Sequence, residues 1–147
     1  TNDAPSSLTR LHDLGIQPFL TAATILGVLA QRLVRKLCPH CKQETFINEQ
    51  EWKHLTFGYQ MTMPDFVFKA VGCEECRHTG FKGRIGIYEF MPISLEAKQK
   101  ISANATLDEL RAQGKKEGIE PLKIAGARKV LEGLTTLEEV LRVVPLN

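Results

Sequence analysis

No cysteine lies outside two short motifs, Cys38-Pro39-His40-Cys41 and Cys73-Glu74-Glu75-Cys76. Nor does the chain contain the roughly 18 consecutive apolar residues that a membrane-spanning helix needs. Its longest apolar stretch, Phe19 to Ala30, is broken by Thr21, Thr24 and Gly27. Charge of one sign is scarce as well. The formal excess is only +2, and four metal-bound thiolates with one Zn²⁺ would bring it to neutrality, so no global field for nucleic acid is expected. A phosphate-cradling loop is missing, because Gly114-Lys115-Lys116 has neither the upstream glycine nor the hydroxyl such a loop requires. No Ser/His/Asp set or paired acidic cluster stands out. What remains is an ordinary globular composition, 43% hydrophobic and 24% charged, without the bias of disorder. A chain of 147 residues can bury one modest core, or a small core beside a metal-stapled lobe, and two lobes are expected.

Two Cys-x-x-Cys pairs point to a metal site. Each pair forms a tight knuckle that aims two sulfurs at one ion, and two knuckles complete the tetrahedron that Zn²⁺ prefers. Four protein ligands leave no open position, so such a site stabilises a loop-rich segment and does no chemistry itself. Disulfides within each pair would close a strained ring, and no secretory signal points to an oxidising compartment. A redox reading also exists, because Cys-Pro-His-Cys is the active-site tetrapeptide of periplasmic disulfide oxidases. It leaves Cys73 and Cys76 unexplained, and it needs a helix starting at Cys38, where Lys42-Gln43-Glu44-Thr45 carries no apolar stripe. His40 and His78 flank the knuckles and are read as solvated neighbours.

Along the chain, Asn2 or Asp3 caps a first helix with Pro5 in its first turn, Leu8, Leu11 and Leu14 on one face, and Gly15 at its end. A second helix is expected from Pro18 through Ala30, apolar nearly all round and therefore buried. Gln31 to Leu37 reads as a strand leading into the first knuckle. Asn48 caps a short helix whose buried face is Trp52, Leu55 and Phe57, and Phe66 to Val71 is a strand entering the second knuckle. Thr79-Gly80-Phe81-Lys82-Gly83-Arg84 is a turn, followed by a strand from Ile85 to Met91. Its alternation is expected to slip, because Glu89 falls on the face of Ile85 and Ile87. This strand and Gln31 to Leu37 are natural antiparallel partners. Four short helices close the chain: one capped by Ser94, one boxed by Thr106 and Glu109, one starting near Pro121, and one boxed by Thr136 and Glu139. Arg32, Arg35, Lys36 and Lys42 form a local basic cluster that reads as a solvated edge.

Taken together, these residues resemble the hexameric secretion ATPases that power bacterial type II secretion and type IV pilus assembly. The resemblance rests on Thr1-Asn2-Asp3-Ala4 with Thr9-Arg10-Leu11, on Gly15-Ile16-Gln17-Pro18-Phe19, on Leu29 to Pro39, on Cys73 to Glu89, and on Gly133-Leu134-Thr135-Thr136-Leu137-Glu138-Glu139-Val140. These motifs run in family order over nearly the whole chain. In that family a RecA-like core carries Walker A and B motifs and a histidine box, followed by a four-cysteine insertion and C-terminal helices. Thr1 matches the residue after the box histidine, so the sequence resembles only the last third of such a protein.

The resemblance implies an α/β fragment: the tail of a RecA-like ATPase core, a four-cysteine zinc-binding insertion and a small C-terminal helical bundle. Residues 1–37 would finish the core, 38–83 would be the insertion, and 84–147 the returning strand with the helices. It implies Cys38, Cys41, Cys73 and Cys76 as Zn²⁺ ligands. It also implies Arg84 as an arginine that reaches the nucleotide of a neighbouring subunit, with Arg32 and Arg35 as weaker candidates. ATP and Mg²⁺ would be bound by the intact parent alone, so the fragment by itself should be inactive. The implied partners are a homo-hexamer and inner-membrane secretion or pilus platform proteins, with no nucleic acid, at a cytoplasmic site peripheral to the inner membrane. Arg84 to Pro92 leans toward pilus members, Gly27 to Ala30 toward secretion members. A free-standing zinc-ribbon adaptor for nucleic acid or protein is the alternative reading.

Overall fold

The computed structural model describes residues 2–146; Thr1, which opens the first family motif, lies outside the described residues. The chain forms two compact units. One contains the residues up to Ala30 together with Tyr88–Pro121, the other Gln31–Ile87 together with the residues from Leu122 onward. Residues of one long strand pair are assigned to both units. The pair is β1 (Gly27–Leu37) with β4 (Phe81–Pro92). Ile93 donates its N–H to Leu26 and Cys38 to Gly80, both at 3.0 Å, so the two strands run antiparallel.

In the first unit, α1 (Ala4–Asp13) begins at Asp3, whose carboxylate accepts the Ser6 N–H at 2.9 Å while the Ser6 hydroxyl accepts the Asp3 N–H at 3.0 Å. These bonds satisfy donors that the first helical turn leaves orphaned. Leu8 is fully buried, whereas Leu14 is exposed. The expected helix from Pro18 to Ala30 is not formed as such. Helix α2 stops after Pro18–Thr24, Ile25 is extended, and Gly27 begins β1. Nor is the segment buried all round, since Phe19, Leu26 and Leu29 are 62%, 83% and 59% exposed. An apolar run of this length suits a helix or a strand equally by periodicity. Here Ile25 is beta-branched and Gly27 lies against the Phe90 ring, where a Cβ would come within 2.9 Å, so close strand pairing wins.

Strand β4 keeps strict alternation where a slip was expected: Ile87, Glu89 and Met91 are all buried. Glu89 is tolerated inside because its carboxylate accepts the Ala4 N–H at 2.8 Å, at the positive end of α1. Helices α4 (Leu95–Ser102) and α5 (Leu107–Lys116) complete this unit, α4 packing on α2 and α5 on α1. The caps at Ser94 and Thr106 form as the sequence indicates, the latter with a reciprocal bond from the Thr106 N–H to Glu109.

In the second unit, β2 (Gln43–Thr45) and β3 (Val67–Lys69) pair antiparallel, with Glu44 opposite Phe68. Helix α3 (Glu49–Leu55) is capped by Asn48 and buries Trp52 and Leu55. Phe57 is exposed, contrary to its expected place on the buried face, because α3 ends at Leu55 and Phe57 falls outside the helical register. Helices α6 (Leu122–Leu131) and α7 (Leu137–Val143) pack on each other and on α3. The four C-terminal helices are thus all present, two in each unit. Lys123 on α6 is buried and donates to the Phe57 carbonyl at 2.8 Å, which ties the end of α3 to this pair.

Candidate metal centre

Strand β1 delivers Cys38 directly. The Leu37 N–H donates to Leu134 at 2.8 Å and the Cys38 N–H to Gly80 at 3.0 Å, so the first cysteine starts from a fixed backbone. Pro39 to Cys41 then form a turn, exposed at Pro39 and His40, closed by the Lys42 N–H on the Cys38 carbonyl at 3.1 Å. The β2–β3 pair returns the chain to the second knuckle. There Glu74–Cys76 make one tight helical turn, and Arg77 and His78 adopt left-handed backbone, φ 56° and 62°. Gly80 is also left-handed, φ 81°, and a Cβ on it would meet the Ala70 Cβ at 2.5 Å. Only glycine fits where the two knuckles close on each other.

The four sulfurs lie within 4.8 Å of one another. The pairs Cys38–Cys73, Cys41–Cys76 and Cys73–Cys76 are each 3.8 Å apart. A tetrahedron with metal–sulfur bonds of about 2.3 Å has edges of about 3.8 Å, so the sulfur set fits one tetrahedral ion. All four cysteines are free of disulfide bonds. Backbone N–H groups point at the sulfurs, from Gly72 to Cys41 at 3.3 Å and from Cys73 and Gly80 to Cys76 at 3.2 Å. Burial pushes the Cys76 thiol up, but those two N–H donors outweigh it and bring the group down to about 6. Burial raises Cys73 to about 11. The contrast is that of four like groups in one small space, which cannot all ionise without a cation between them. His40 and His78 are exposed and stand outside the cluster. The helix that a disulfide-oxidase site needs is absent, since Pro39 to Cys41 is a turn and Gln43–Thr45 a strand. Chemically, the arrangement is a closed clamp.

Three members of the basic cluster, Arg32, Arg35 and Lys42, make local pairings. Arg32 donates to the Gln31 carbonyl, and Lys42 donates to the Gly133 carbonyl at 2.8 Å while lying over the Phe68 ring. Arg35 is held by Glu139 on α7, a residue the sequence placed in a capping box. The Glu139 carboxylate accepts the Arg35 N–H and Nε at 3.0 Å and Nη2 at 2.6 Å, together with Arg142 Nη2 at 2.9 Å. The Arg35 guanidinium lies 4.1 Å from the Phe81 ring centre. Arg84 is exposed at an open cleft that Arg35, Thr79, Phe81 and Gly83 also line. No ion pair or hydrogen bond joins its guanidinium to any described residue. Local motifs do not reveal the contacts that Glu139, Glu89 and Phe81 make, with Arg35, the Ala4 N–H and the Arg35 guanidinium respectively.

Among the described residues no helix is long and apolar enough to cross a membrane. The sequence model of the family described as "Type II/IV secretion system protein" matches residues 1–142. Over 147 residues, all of this chain, the sequence is 67% identical to the type IV pilus assembly ATPase TfpB of Acinetobacter baylyi, and it covers 25% of that protein. It is 44% identical to type II secretion system protein E of Aeromonas hydrophila, covering 97% of this chain and 28% of that one. With the type IV pilus assembly ATPase PilB of Thermus thermophilus it shares 38% identity, over 96% of this chain and 16% of the relative. The chain thus spans about a quarter of its relatives, or less. A match that runs from the first helix into the last turn of α7 and includes both cysteine knuckles covers nearly the whole described chain, and the chain therefore belongs to the type II/IV secretion system protein family.

Proposed function

We propose that this chain is the C-terminal part of a hexameric ATPase that powers type II secretion or type IV pilus assembly, with its four cysteines holding one structural Zn²⁺. When bound, the ion supplies the four bonds that keep the two knuckles together. Cys38 and Cys41 would anchor it to β1, Cys73 and Cys76 to the turn before β4. The metal lobe shapes the cleft at the start of β4, and ATP with Mg²⁺ binds in the RecA-like core of the full-length protein. In this reading Arg84 reaches across to the nucleotide of a neighbouring subunit, where a guanidinium stabilises charge developing on the γ-phosphate. Phe19, Leu26 and Leu29, each large, apolar and exposed, are the residues we assign to contact with the RecA-like core. The platform proteins of the inner membrane are the assigned partners, contacted from the cytoplasmic side.

The observation that carries the reading is Arg84, an exposed guanidinium that no described side chain neutralises, on the strand that the metal lobe leads into. In the full-length hexamer, Arg84→Ala should lower ATP turnover while leaving assembly and metal content unchanged. Mixing that variant with subunits defective in their own nucleotide site should restore activity only where an intact Arg84 faces an intact site. Unaltered turnover in Arg84→Ala rejects the role.

A further inference from the structure

In a regular strand, Phe81 and Arg84 stand an odd number of positions apart and face opposite sides. Gly83 between them is left-handed, φ 79°, with nothing within 4 Å of where its Cβ would sit. That kink breaks the alternation, and Phe81, Arg84 and Arg35 all line one cleft. The direction of Arg84 therefore depends on how firmly Phe81 is held.

Phe81 is held from two sides. Its N–H donates to the Thr79 hydroxyl at 3.2 Å, and that hydroxyl donates to the Cys76 carbonyl at 2.8 Å. Its ring carries the Arg35 guanidinium. An exposed arginine stacked on a ring wanders unless something else fixes it. Glu139 does so, with Nε and Nη2 of Arg35 on one carboxylate oxygen and the Arg35 N–H on the other. Glu139 is 3% exposed, sits in the first turn of α7, and is itself fixed by its N–H on the Thr136 hydroxyl at 3.1 Å. The Thr135 hydroxyl adds a bond to the Arg35 carbonyl at 2.8 Å.

We propose that Glu139 is a positioning residue for Arg84: it fixes Arg35 on the Phe81 ring and so sets the kinked start of β4 from which Arg84 projects. This rests on the reading of Arg84 as an inter-subunit arginine. It assigns α7 a part in turnover although α7 contributes no residue to the cleft. It also separates Arg35 from Arg84, because Arg35 is spent on Glu139 and cannot serve as a second arginine for nucleotide.

The test is made in the full-length hexamer, with assembly and metal content measured beside steady-state ATP hydrolysis. Glu139→Gln keeps the shape and loses the charge that fixes the guanidinium. It should lower kcat on the order of tenfold, as a misplaced catalytic group does, with KM for ATP little changed. Placed on top of Arg84→Ala, it should cost nothing more. Wild-type kcat in Glu139→Gln beside a damaged Arg84→Ala overturns the positioning role and leaves the Arg84 reading standing. Wild-type turnover in Arg84→Ala removes that reading instead. A loss in Glu139→Gln that persists undiminished in the Arg84→Ala background marks a merely structural role and also overturns the proposal. Should Glu139→Gln fail to assemble, Arg35→Lys decides by the same criteria, because lysine keeps the charge but has no planar fork to bridge carboxylate and ring.

Discussion

Glu139 gives its carboxylate to Arg35, 104 residues away, and not to the N–H of Thr136 at the start of its own helix. Burial alone would raise its pKa, but the hydrogen bonds and charge of Arg35, with Arg142 beside them, hold the group below the ordinary carboxylate value of 4.5. A depressed folded pKa means stability that is present above 4.5 and lost as the pH falls through the folded value. Half of Arg35 remains in solvent, so screening limits the effect. Glu139→Gln should therefore cost about 1–2 kcal/mol at pH 7, and the deficit should shrink below about pH 4.5. Urea midpoints of the two proteins across pH 3 to 7 measure it. A deficit independent of pH contradicts the assignment.

Two left-handed glycines near the second knuckle should differ in cost. Gly83 faces open space, so Gly83→Ala meets only the backbone penalty, about 1 kcal/mol. Gly80 carries the same penalty and also a clash with the Ala70 Cβ at 2.5 Å and the Val71 nitrogen at 3.0 Å. Overpacking of that kind adds about 1–3 kcal/mol. Gly80→Ala should accordingly be the more destabilised, and should weaken metal binding because Gly80 donates to the Cys76 sulfur. Equal melting temperatures for the two variants contradict the geometry.

These cases show which parts of the structure are local enough to read. The spacing within each cysteine knuckle and the caps at Asp3, Asn48, Ser94 and Thr106 depend on neighbours within a few residues. Their chemistry is written in spacing. Glu139 misled because Thr136-x-x-Glu139 satisfies a local rule, while the partner that takes the carboxylate lies on β1. Glu89 misled for the same reason: the strand pattern asks for an apolar residue, and the acceptor is needed by the N-terminus of α1. The apolar stretch Phe19 to Ala30 suits one helix from Pro18 as well as the observed helix and strand, because an apolar run does not say which element covers it. Periodicity reports which side chains avoid water, and not which distant group they meet.

The crossing of α6 and α7 supplies a test of packing alone. A Cβ at Gly126 would lie 3.2 Å from Val140 Cγ2 and closer still to Cγ1. Both residues are buried, so neither can move into solvent. Gly126→Ala should destabilise the chain by about 1–3 kcal/mol through overpacking. Val140→Ala also destabilises, by leaving a cavity. The double variant should recover part of the loss, since each change makes room for the other, and a double-mutant cycle in urea measures that coupling. Strict additivity would show that the helices do not meet at this pair.

Metal removal tests the sulfur tetrahedron most directly. Four sulfurs with three edges of 3.8 Å and none beyond 4.8 Å suit one ion, so about one zinc per chain is expected by elemental analysis. The ligands must be thiolates, so acid should release the ion as protons take its place. Trp52, the single tryptophan, is 2% exposed on α3 in the same unit as all four cysteines, and its emission should shift to the red as the lobe loosens. Cys76→Ser should imitate the chelated protein, because it removes one of the four sulfurs and the acceptor of two backbone N–H groups. Structural zinc sites of this type carry an apparent free energy of about 10–16 kcal/mol, so the change in stability on chelation should be large. Finding no metal, together with four thiols that react freely in the native chain, contradicts the site. Cys38 is fully buried and Cys76 nearly so. In the loaded protein, therefore, all four thiols should resist alkylation until a chelator is added.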